Sequence, residues 1–344
     1  MTELAQELLG FAVKSGLIFL TIVASTAAVV FLVRRARRAS SGRGWLEVKH
    51  LNERFDGLRD ALQLGTTKGR AAFKALRKQQ QALSKAAETL STTKPSVYVV
   101  DFDGDILATA TSSLREEVTA IIGVAKPEDE VVVRLESGGG AVPHYGLAAA
   151  QLVRLKEKKL KVTVCIDRVA ASGGYMMACV ADQVVAAPFS IIGSIGVVAQ
   201  VPNVHRFLKR YDVDVEEMTA GEFKRTVSLL GEVTEKGKAK LQEQLEETHG
   251  LFKAFVKQHR PALDVDQVAT GEYWLGTRAK ELKLVDTLVT SDDYLVGRAK
   301  DSNVFQVHFH GANPWRERLM GAGGELLERA VLRLLQRAQE TRLQ

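Results

Sequence analysis

The segment VAASGGYMMACVAD, residues 169–182, combines one serine with small neighbours. Its pattern predicts the end of a strand, a tight turn and a helix that begins beside Ser172. Small residues such as Gly173 let a substrate backbone approach, and the first amides of a helix can donate to a developing oxyanion. The segment therefore offers Ser172 as a nucleophile, although a serine in this position is also a common helix cap.

A second glycine-rich turn, ESGGGAV at residues 136–142, follows another strand-like run and precedes a helical pattern. Its free amides are expected beyond the carboxyl end of that strand. If both turns face one site, Gly139 or Gly140 together with Gly173 form a two-amide oxyanion hole. Glycine triplets are also ordinary tight turns, so the residues of the turn leave both interpretations open.

A nucleophilic serine needs a base, and histidine is the first residue type to consider. His144 and His205 are the nearest of the seven histidines, but no Asp or Glu is obviously placed to orient either of them. A surface or capping role suits both. His308 and His310 alternate along a predicted strand, a spacing too sparse for a metal site. No metal is expected.

Lys224 is the sharper candidate for the base. It lies in TAGEFKRTVSLLGE, between apolar residues such as Phe223 and Leu229, where its ammonium could lose its hydration. Lowering a lysine pKa from about 10.4 to near 7.5 takes roughly 4 kcal/mol, which an apolar pocket can supply. Spacing alone does not select this lysine, because most lysines are solvated.

The elements that hold these residues are predicted from periodicity. Short β-branched runs alternate with amphipathic helical stretches, which is typical of parallel βαβ units and of the α/β class. The strand-like runs are VYVVDF at 97–102, EVVVRL at 130–135, KVTVCI at 161–166 and DQVVAA at 182–187. Residues 113–124 and 142–158 carry apolar side chains at three- and four-residue intervals, as crossover helices do.

Length and composition allow one catalytic domain with appendages, since the chain has 344 residues of which 46% are apolar. Cys165 and Cys179 each lie inside an apolar run. Buried thiols are therefore expected rather than metal ligands, redox groups or nucleophiles. The sequence shows neither a metal-binding spacing nor a disulfide framework, and no cofactor is expected.

Residues 15–33 contain no charge, and as a helix they extend about 28 Å, close to the hydrocarbon thickness of a bilayer. The positive charges follow this stretch, so an uncleaved single-pass anchor is predicted. Residues 34–94 hold 15 Lys and Arg against 5 Asp and Glu. This block follows a hydrophobic span and is poor in aromatics, which favours anionic lipid over nucleic acid, with a merely solvated helix as the alternative.

The sequence therefore divides into five parts. Thr234 precedes a long helical pattern that ends at Pro261 within the catalytic part, and residues 315–342 pair leucines with arginines at amphipathic spacing. That last stretch suits a membrane-surface helix or an oligomer contact. The predicted parts are a tail (1–14), the anchor (15–33), a basic helical arm or linker (34–95), the catalytic domain (96–300) and a C-terminal strand with an amphipathic helix (301–344).

Five blocks resemble, in the same order, the SohB-type branch of the signal peptide peptidase A family. They are RLESGGG, DRVAASGGYMMACVAD, APFSIIGSIGVVAQVPN, TAGEFKRT and ATGEYWLGTRAKELKLVD. The resemblance implies a ClpP/crotonase-like fold in which Ser172 attacks a peptide carbonyl and Lys224 removes its proton. By the same matching, Ser194 in GSIGV orients the lysine amine. The family usually has Ser-Pro-Gly-Gly where this chain has SGGG at 137–140, so a looser turn is expected.

The resemblance also implies partners and a location. In related single-repeat members the serine and the lysine come from neighbouring subunits, so a homo-oligomeric ring with a shared dyad is expected. Its substrates would be extended peptide or protein segments, including signal-peptide remnants, cut by a serine endopeptidase in the bacterial inner membrane. The arginines after residue 33 place the catalytic domain in the cytoplasm by the positive-inside rule, whereas the family is described as facing the periplasm.

Two other functions are compatible with parts of the sequence. A crotonase-like acyl-CoA hydratase or isomerase also uses paired backbone amides, but it needs a carboxylate acid or base, and the glycine turns offer no carboxylate pair. An inactive membrane scaffold would use the fold and the arms for assembly. The intact Ser172 and Lys224 argue against the scaffold.

Overall fold

A computed structural model describes residues 44–67 and 94–311, together with residue 74 alone. The chain divides into two compact units, one of residues 1–46 with 310–344 and one of Glu47–Phe309. In the first unit only residues 44–46 and 310–311 are described. Within the described ranges no helix is both long enough and apolar enough to cross a membrane. The predicted anchor (15–33) and the predicted C-terminal helix (315–342) lie outside these ranges.

The described residues form ten strands: β1 (Trp45–His50), β2 (Ser96–Gly104), β3 (Glu130–Ser137), β4 (Lys161–Ile166), β5 (Val169–Ala171), β6 (Gln183–Ala186), β7 (Ile191–Gly193), β8 (Tyr273–Leu275), β9 (Thr287–Leu288) and β10 (Asn303–His310). They also form nine helices: α1 (Leu51–Thr66), α2 (Thr111–Val124), α3 (Val142–Glu157), α4 (Gly173–Ala178), α5 (His205–Arg210), α6 (Glu235–His259), α7 (Val265–Val268), α8 (Gly276–Glu281) and α9 (Ser291–Arg298).

Seven strands lie side by side in the order β1, β10, β2, β3, β4, β6, β9. From β10 to β9 each neighbouring pair is parallel. Parallel neighbours need a crossover connection, and α2 and α3 provide it between β2 and β3 and between β3 and β4. The four predicted strand runs are β2, β3, β4 and β6, and the two predicted helices are α2 and α3, so the α/β class is confirmed.

The central strands are apolar on both faces because both faces are covered. Val97 and Val99 belong to one buried cluster, whereas Val100 belongs to the other, since successive residues of a strand point to opposite faces. A sheet covered on both sides requires continuous apolar runs rather than alternation. Cys165 and Cys179 are buried and unbridged, and burial raises the pKa of Cys165 to about 12, so both are the buried thiols that the sequence predicted.

Three short strands off the main order position the residues of interest. Strand β5 pairs with the end of β3 and, along its length, with β7 in parallel; β7 pairs antiparallel with β8, which makes the sheet mixed. Runs of three residues are too short to show a period in the sequence. Their carboxyl ends lead directly into Ser172 after β5 and Ser194 after β7.

Helix α6 begins and ends where the sequence placed it. Thr234 caps the helix, because its side-chain oxygen accepts a hydrogen bond from the amide of Gly237 at 3.0 Å. The helix ends at His259, two residues before Pro261.

Glu117 is a buried carboxyl on α2. Its Oε1 accepts a hydrogen bond from the backbone amide of Phe309 at 2.8 Å and lies 3.5 Å from His308 Nδ1. Burial raises the pKa of Glu117 to about 7, and the negative charge of Asp101 acts in the same direction. The fold therefore stabilises the neutral carboxyl against the charged one.

This raised pKa makes stability depend on pH. The carboxyl contributes stability below about pH 4.5 and loses it as the pH rises through about 7. We expect Glu117→Gln, which stays neutral and keeps an acceptor for Phe309, to raise the free energy of unfolding at about pH 8 by roughly 1 to 3 kcal/mol. Urea denaturation across this range measures it, and parallel pH profiles for the two proteins would contradict it.

Candidate active site

Ser172 connects β5 to α4 with a backbone that few residues other than glycine adopt. Its φ is 51° and its ψ is −118°, a conformation that costs a side-chain-bearing residue about 1 to 3 kcal/mol. The sheet offsets this cost: the amide of Ser172 donates to the carbonyl of Gly193 at 2.8 Å. The Ser172 side chain makes no capping hydrogen bond to α4, so the helix-cap interpretation is wrong.

The two glycine turns predicted from the sequence lie in contact. Gly139 has a φ of 88°, and a Cβ there would come within 2.7 Å of both the Gly173 nitrogen and the Ser172 Cβ. A Cβ at Gly140 would lie 2.1 Å from the carbonyl oxygen of Ile106. Both positions therefore require glycine for space, and the structure brings Gly139 and Gly140 together with Ser172 and Gly173.

The three predicted oxyanion amides are not equivalent. The amide of Gly139 donates to the side-chain oxygen of Ser137 at 3.1 Å. The amides of Gly140 and Gly173 make no hydrogen bond to any other residue that the structure describes. These two are therefore the amides available to an external oxygen atom.

A buried hydroxyl pair holds the turn at 138–140. Tyr145 is fully buried, and its hydroxyl donates to the carbonyl of Asp105 at 2.7 Å and lies 2.5 Å from Ser137 Oγ. Ser137 Oγ in turn accepts the amide of Gly139. The Tyr145 ring also packs on Gly173, where a Cβ would lie 2.3 Å from ring carbon Cγ. One side chain thus supports both turns.

Ser194, like Ser172, has a positive φ. Its φ is 50°, and its amide donates to the carbonyl of Glu272 at 2.6 Å. The preceding Gly193 accepts the Ser172 amide, so the two serines end adjacent, paired strands. Both serines line one cavity of about 900 Å³.

This cavity joins the predicted residues to a face of α6 that the sequence analysis did not single out. Its lining includes the turn at 138–140, Ser172, Ser194 and the apolar side chains of Ile106 and Val198. From α6 it includes Gln242, Leu245, Glu246 and His249. Spacings of three and four residues place these four on one helix face, and that pattern is the signal by which the sequence could have found them.

Lys224 is not among the described residues that line this cavity. It is exposed, and the neighbouring Phe223 and Leu229 are 40% and 47% exposed. The expected desolvation of Lys224 is therefore absent within the described part of a single chain. The segment that holds Lys224 contacts α6 through Phe223. Two lysines of α6 lie over this ring, with Lys236 Nζ 5.5 Å and Lys240 Nζ 5.4 Å from its centre.

The two histidines nearest to Ser172 in the sequence are not placed as its base. His144 is exposed at the start of α3, and His205 is half-buried at the start of α5. Neither belongs to the cavity lining, as far as the described residues show. The histidine that does line the cavity is His249.

Comparison with known families gives two matches that together cover most of the chain. The model described as Peptidase family S49 matches residues 154–304, and the one described as Peptidase family S49 N-terminal matches residues 3–152.

Similar proteins carry related names. A protein of Haemophilus influenzae named probable protease SohB is 54% identical over 303 residues, covering 84% of this chain and 86% of that protein. A protein of the same name from Buchnera aphidicola subsp. Schlechtendalia chinensis is 45% identical, covering 78% and 92%. A solved structure of a membrane-bound stomatin-specific protease is 14% identical, with a TM-score of 0.39, and covers 60% of this chain and 85% of that one.

The backbone of Ser172 predicts that glycine stabilises this position. Both Ser172→Gly and Ser172→Ala remove the hydroxyl. Glycine adopts the positive φ without a steric cost, whereas alanine, which has a Cβ, keeps that cost. We expect the glycine variant to unfold with a free energy about 1 kcal/mol higher than the alanine variant, after the extra freedom of glycine in the unfolded chain is counted. Thermal and urea denaturation of the pair measure this, and a less stable glycine variant would contradict it.

Removing the Tyr145 hydroxyl should lower both the free energy of unfolding and the rate of hydrolysis. Tyr145→Phe leaves the Asp105 carbonyl and Ser137 with one partner fewer, which should cost about 1 to 2 kcal/mol of unfolding free energy. Because the turn at 138–140 loosens, we expect casein hydrolysis to fall about tenfold, mainly in kcat. Tyr98→Phe is the matched control, since the hydroxyl of Tyr98 makes no hydrogen bond within the described residues. Unchanged hydrolysis in Tyr145→Phe would show that the pair serves only the fold.

Proposed function

The chain belongs to peptidase family S49, and we propose that its protease activity is that of a membrane-anchored endopeptidase with a Ser172/Lys224 dyad. The Ser172 hydroxyl attacks a peptide carbonyl while the Lys224 amine takes its proton. The carbonyl oxygen becomes an oxyanion, which accepts hydrogen bonds from the amides of Gly173 and Gly140. The Lys224 ammonium gives this proton to the leaving nitrogen as the C–N bond breaks, and water then hydrolyses the acyl-enzyme, which releases the second product and restores the Ser172 hydroxyl.

The observation that carries this proposal is the setting of Ser172. A serine with a positive φ and no capping bond lies on a cavity beside two amides that have no acceptor in the described chain. Strained backbone at such a site is typical of functional residues. Gly139 acts through spacing, because its own amide is bound to Ser137 while its missing side chain lets the turn reach Ser172.

The exposure of Lys224 supports a dyad shared between protomers. A lysine acts as a base only as the neutral amine, and desolvation is what favours that form. Within the described part of one chain Lys224 is exposed and is not among the residues that line the cavity, so a second copy is the proposed source of both the apolar cover and the contact with Ser172. Ser194, which does line the cavity, is proposed to orient the arriving amine.

The segment around Lys224 has the surface for such an assembly. Met218 is 89% exposed, and Phe223 and Leu229 are 40% and 47% exposed, so large apolar side chains of this segment face solvent in a single chain. Phe207, Tyr211 and Leu230 extend the exposed group. A repeated head-to-tail contact through this segment forms a ring if the rotation between neighbouring copies closes, and a ring is the proposed assembly.

The proposed substrates are extended segments with small or apolar side chains. The cavity walls at Ile106, Val142 and Val197 accept such side chains. An extended peptide can lie beside the glycine turns as an added strand, in a ClpP/crotonase-like arrangement that the parallel βαβ units support. Signal-peptide remnants and other membrane-derived peptides have this composition.

Membrane attachment is proposed from the uncharged stretch at 15–33 and the basic arm that follows it, which would contact anionic lipid. The proposed location is the bacterial inner membrane. The arginines after residue 33 favour a cytoplasmic catalytic domain, and protease protection of membrane vesicles decides between that side and the periplasm.

The alternatives meet specific obstacles. The carboxylate pair that would favour an acyl-CoA hydratase or isomerase is not present among the described lining residues, where Glu246 is the single carboxylate. An inactive scaffold would leave the strained Ser172 backbone without a purpose.

The dyad is tested with the detergent-solubilised full chain and with Ser172→Ala and Lys224→Ala. We expect each variant to lose about a hundredfold or more of its casein hydrolysis while keeping its oligomeric size. Lys158→Ala, an exposed lysine at the end of α3, is the control and should cleave like the parent. Variants that cleave like the parent would refute the assignment of these residues.

Mixing the two inactive variants tests whether the dyad is shared. If serine and lysine come from neighbouring protomers, a dissociated and reassembled equal mixture has both groups at about a quarter of its sites. Hydrolysis should return to about that fraction of the parent rate. A mixture as inactive as its components, with reassembly verified by size, would place both groups in one protomer.

A further inference from the structure

One face of α6 forms a wall of the cavity that holds Ser172. Gln242, Leu245, Glu246 and His249 all line it, at the three- and four-residue spacing of a single helix face. The dyad and oxyanion roles use none of these four residues. A helix wall beside a nucleophile is where the rest of a bound peptide would lie.

His249 stands out on this wall because its hydrogen bonding is incomplete. Its Nε2 atom is buried and has no hydrogen-bond partner among the described residues. An unpaired buried polar atom costs about 1 to 3 kcal/mol, so it is normally retained for a water or a ligand. No hydrogen bond joins His249 to Ser172 in the described structure, which separates it from the base of the reaction.

We propose that His249 is a substrate-positioning residue, whose imidazole hydrogen-bonds to the backbone of a peptide lying along α6. This inference rests on the proposed function of the cavity. The terminal torsion of histidine has broad wells, so the ring can turn toward an occupant. Leu245, one turn earlier on the same face, packs against an apolar side chain of that peptide.

Glu246 adds a charge preference to the same wall. Its carboxylate lines the cavity, and the described lining contains no lysine or arginine to neutralise it. Acidic residues are therefore disfavoured in the part of the peptide that faces α6, because like charges repel. Leu245 and Glu246 together favour a neutral, apolar segment over an acidic one, while His249 holds the backbone of that segment.

The test measures peptide binding without chemistry. A fluorescein-labelled apolar peptide is titrated into the full-length, detergent-solubilised Ser172→Ala protein, alone and combined with His249→Ala, His249→Gln or Glu247→Gln. We expect His249→Ala to weaken binding roughly three- to tenfold, as the loss of one hydrogen bond predicts. Glutamine, which keeps a donor and an acceptor, should recover part of this loss. Glu247→Gln, an exposed neighbour outside the cavity lining, is the control.

Kinetics with intact Ser172 give the second readout. We expect His249→Ala to raise KM by a similar factor with kcat changed less than about twofold. Suppose that the parent protein, with intact Ser172, cleaves the peptide. If His249→Ala then binds and cleaves the peptide as Glu247→Gln does, the positioning role is overturned and the dyad stands. A loss of kcat with unchanged binding would instead make His249 part of the chemistry, also against the proposal.

The outcomes separate the two proposals. If no cleavage depends on Ser172 but binding still falls in His249→Ala, the peptide site survives and the dyad fails. A protein that neither binds nor cleaves the peptide overturns both.

Discussion

The hydrogen bond from the Ser172 amide to the Gly193 carbonyl is the constraint on which the site depends. It extends the pairing of β5 with β7 by one residue and holds Ser172 in a conformation that is rare for residues other than glycine. The strain costs about as much as one or two hydrogen bonds contribute, so the surrounding structure must hold the strand that carries it. Strand β5 meets this condition, because its other neighbour is the end of β3.

The same strand end fixes the second turn. Ser137 is the last residue of β3, and it receives the Gly139 amide while lying 2.5 Å from the Tyr145 hydroxyl. Tyr145 comes from the first turn of α3, so strand, turn and helix are connected through one buried group. Because a Cβ at Gly139 would collide with Ser172, the turns can meet only as glycine backbones. Preorganised amides of this kind need no rearrangement when charge develops.

The two residues of the proposed dyad have different surroundings in the described chain. Ser172 and Gly140 line the cavity, whereas Lys224 lies on an exposed segment with apolar neighbours. Under the shared-dyad proposal, the exposed apolar residues and the exposed Lys224 have one explanation. Burying the apolar group drives association, and the same burial removes water from the ammonium and favours the neutral amine. Assembly and activation of the base would then be one event.

Much of this protein was determined by the sequence alone. Long apolar runs fixed β2, β3, β4 and β6, periodicity fixed α2 and α3, and a cap and a proline bounded α6, because each signal is local and repeated over many residues. Family blocks pointed to Ser172, Lys224 and Ser194 where spacing could not. Only the tertiary structure decided which glycine amides are free, that Tyr145 supports both turns and that α6 brings His249 to the cavity. These facts depend on contacts between segments far apart in the chain, and no local pattern encodes the distance between them.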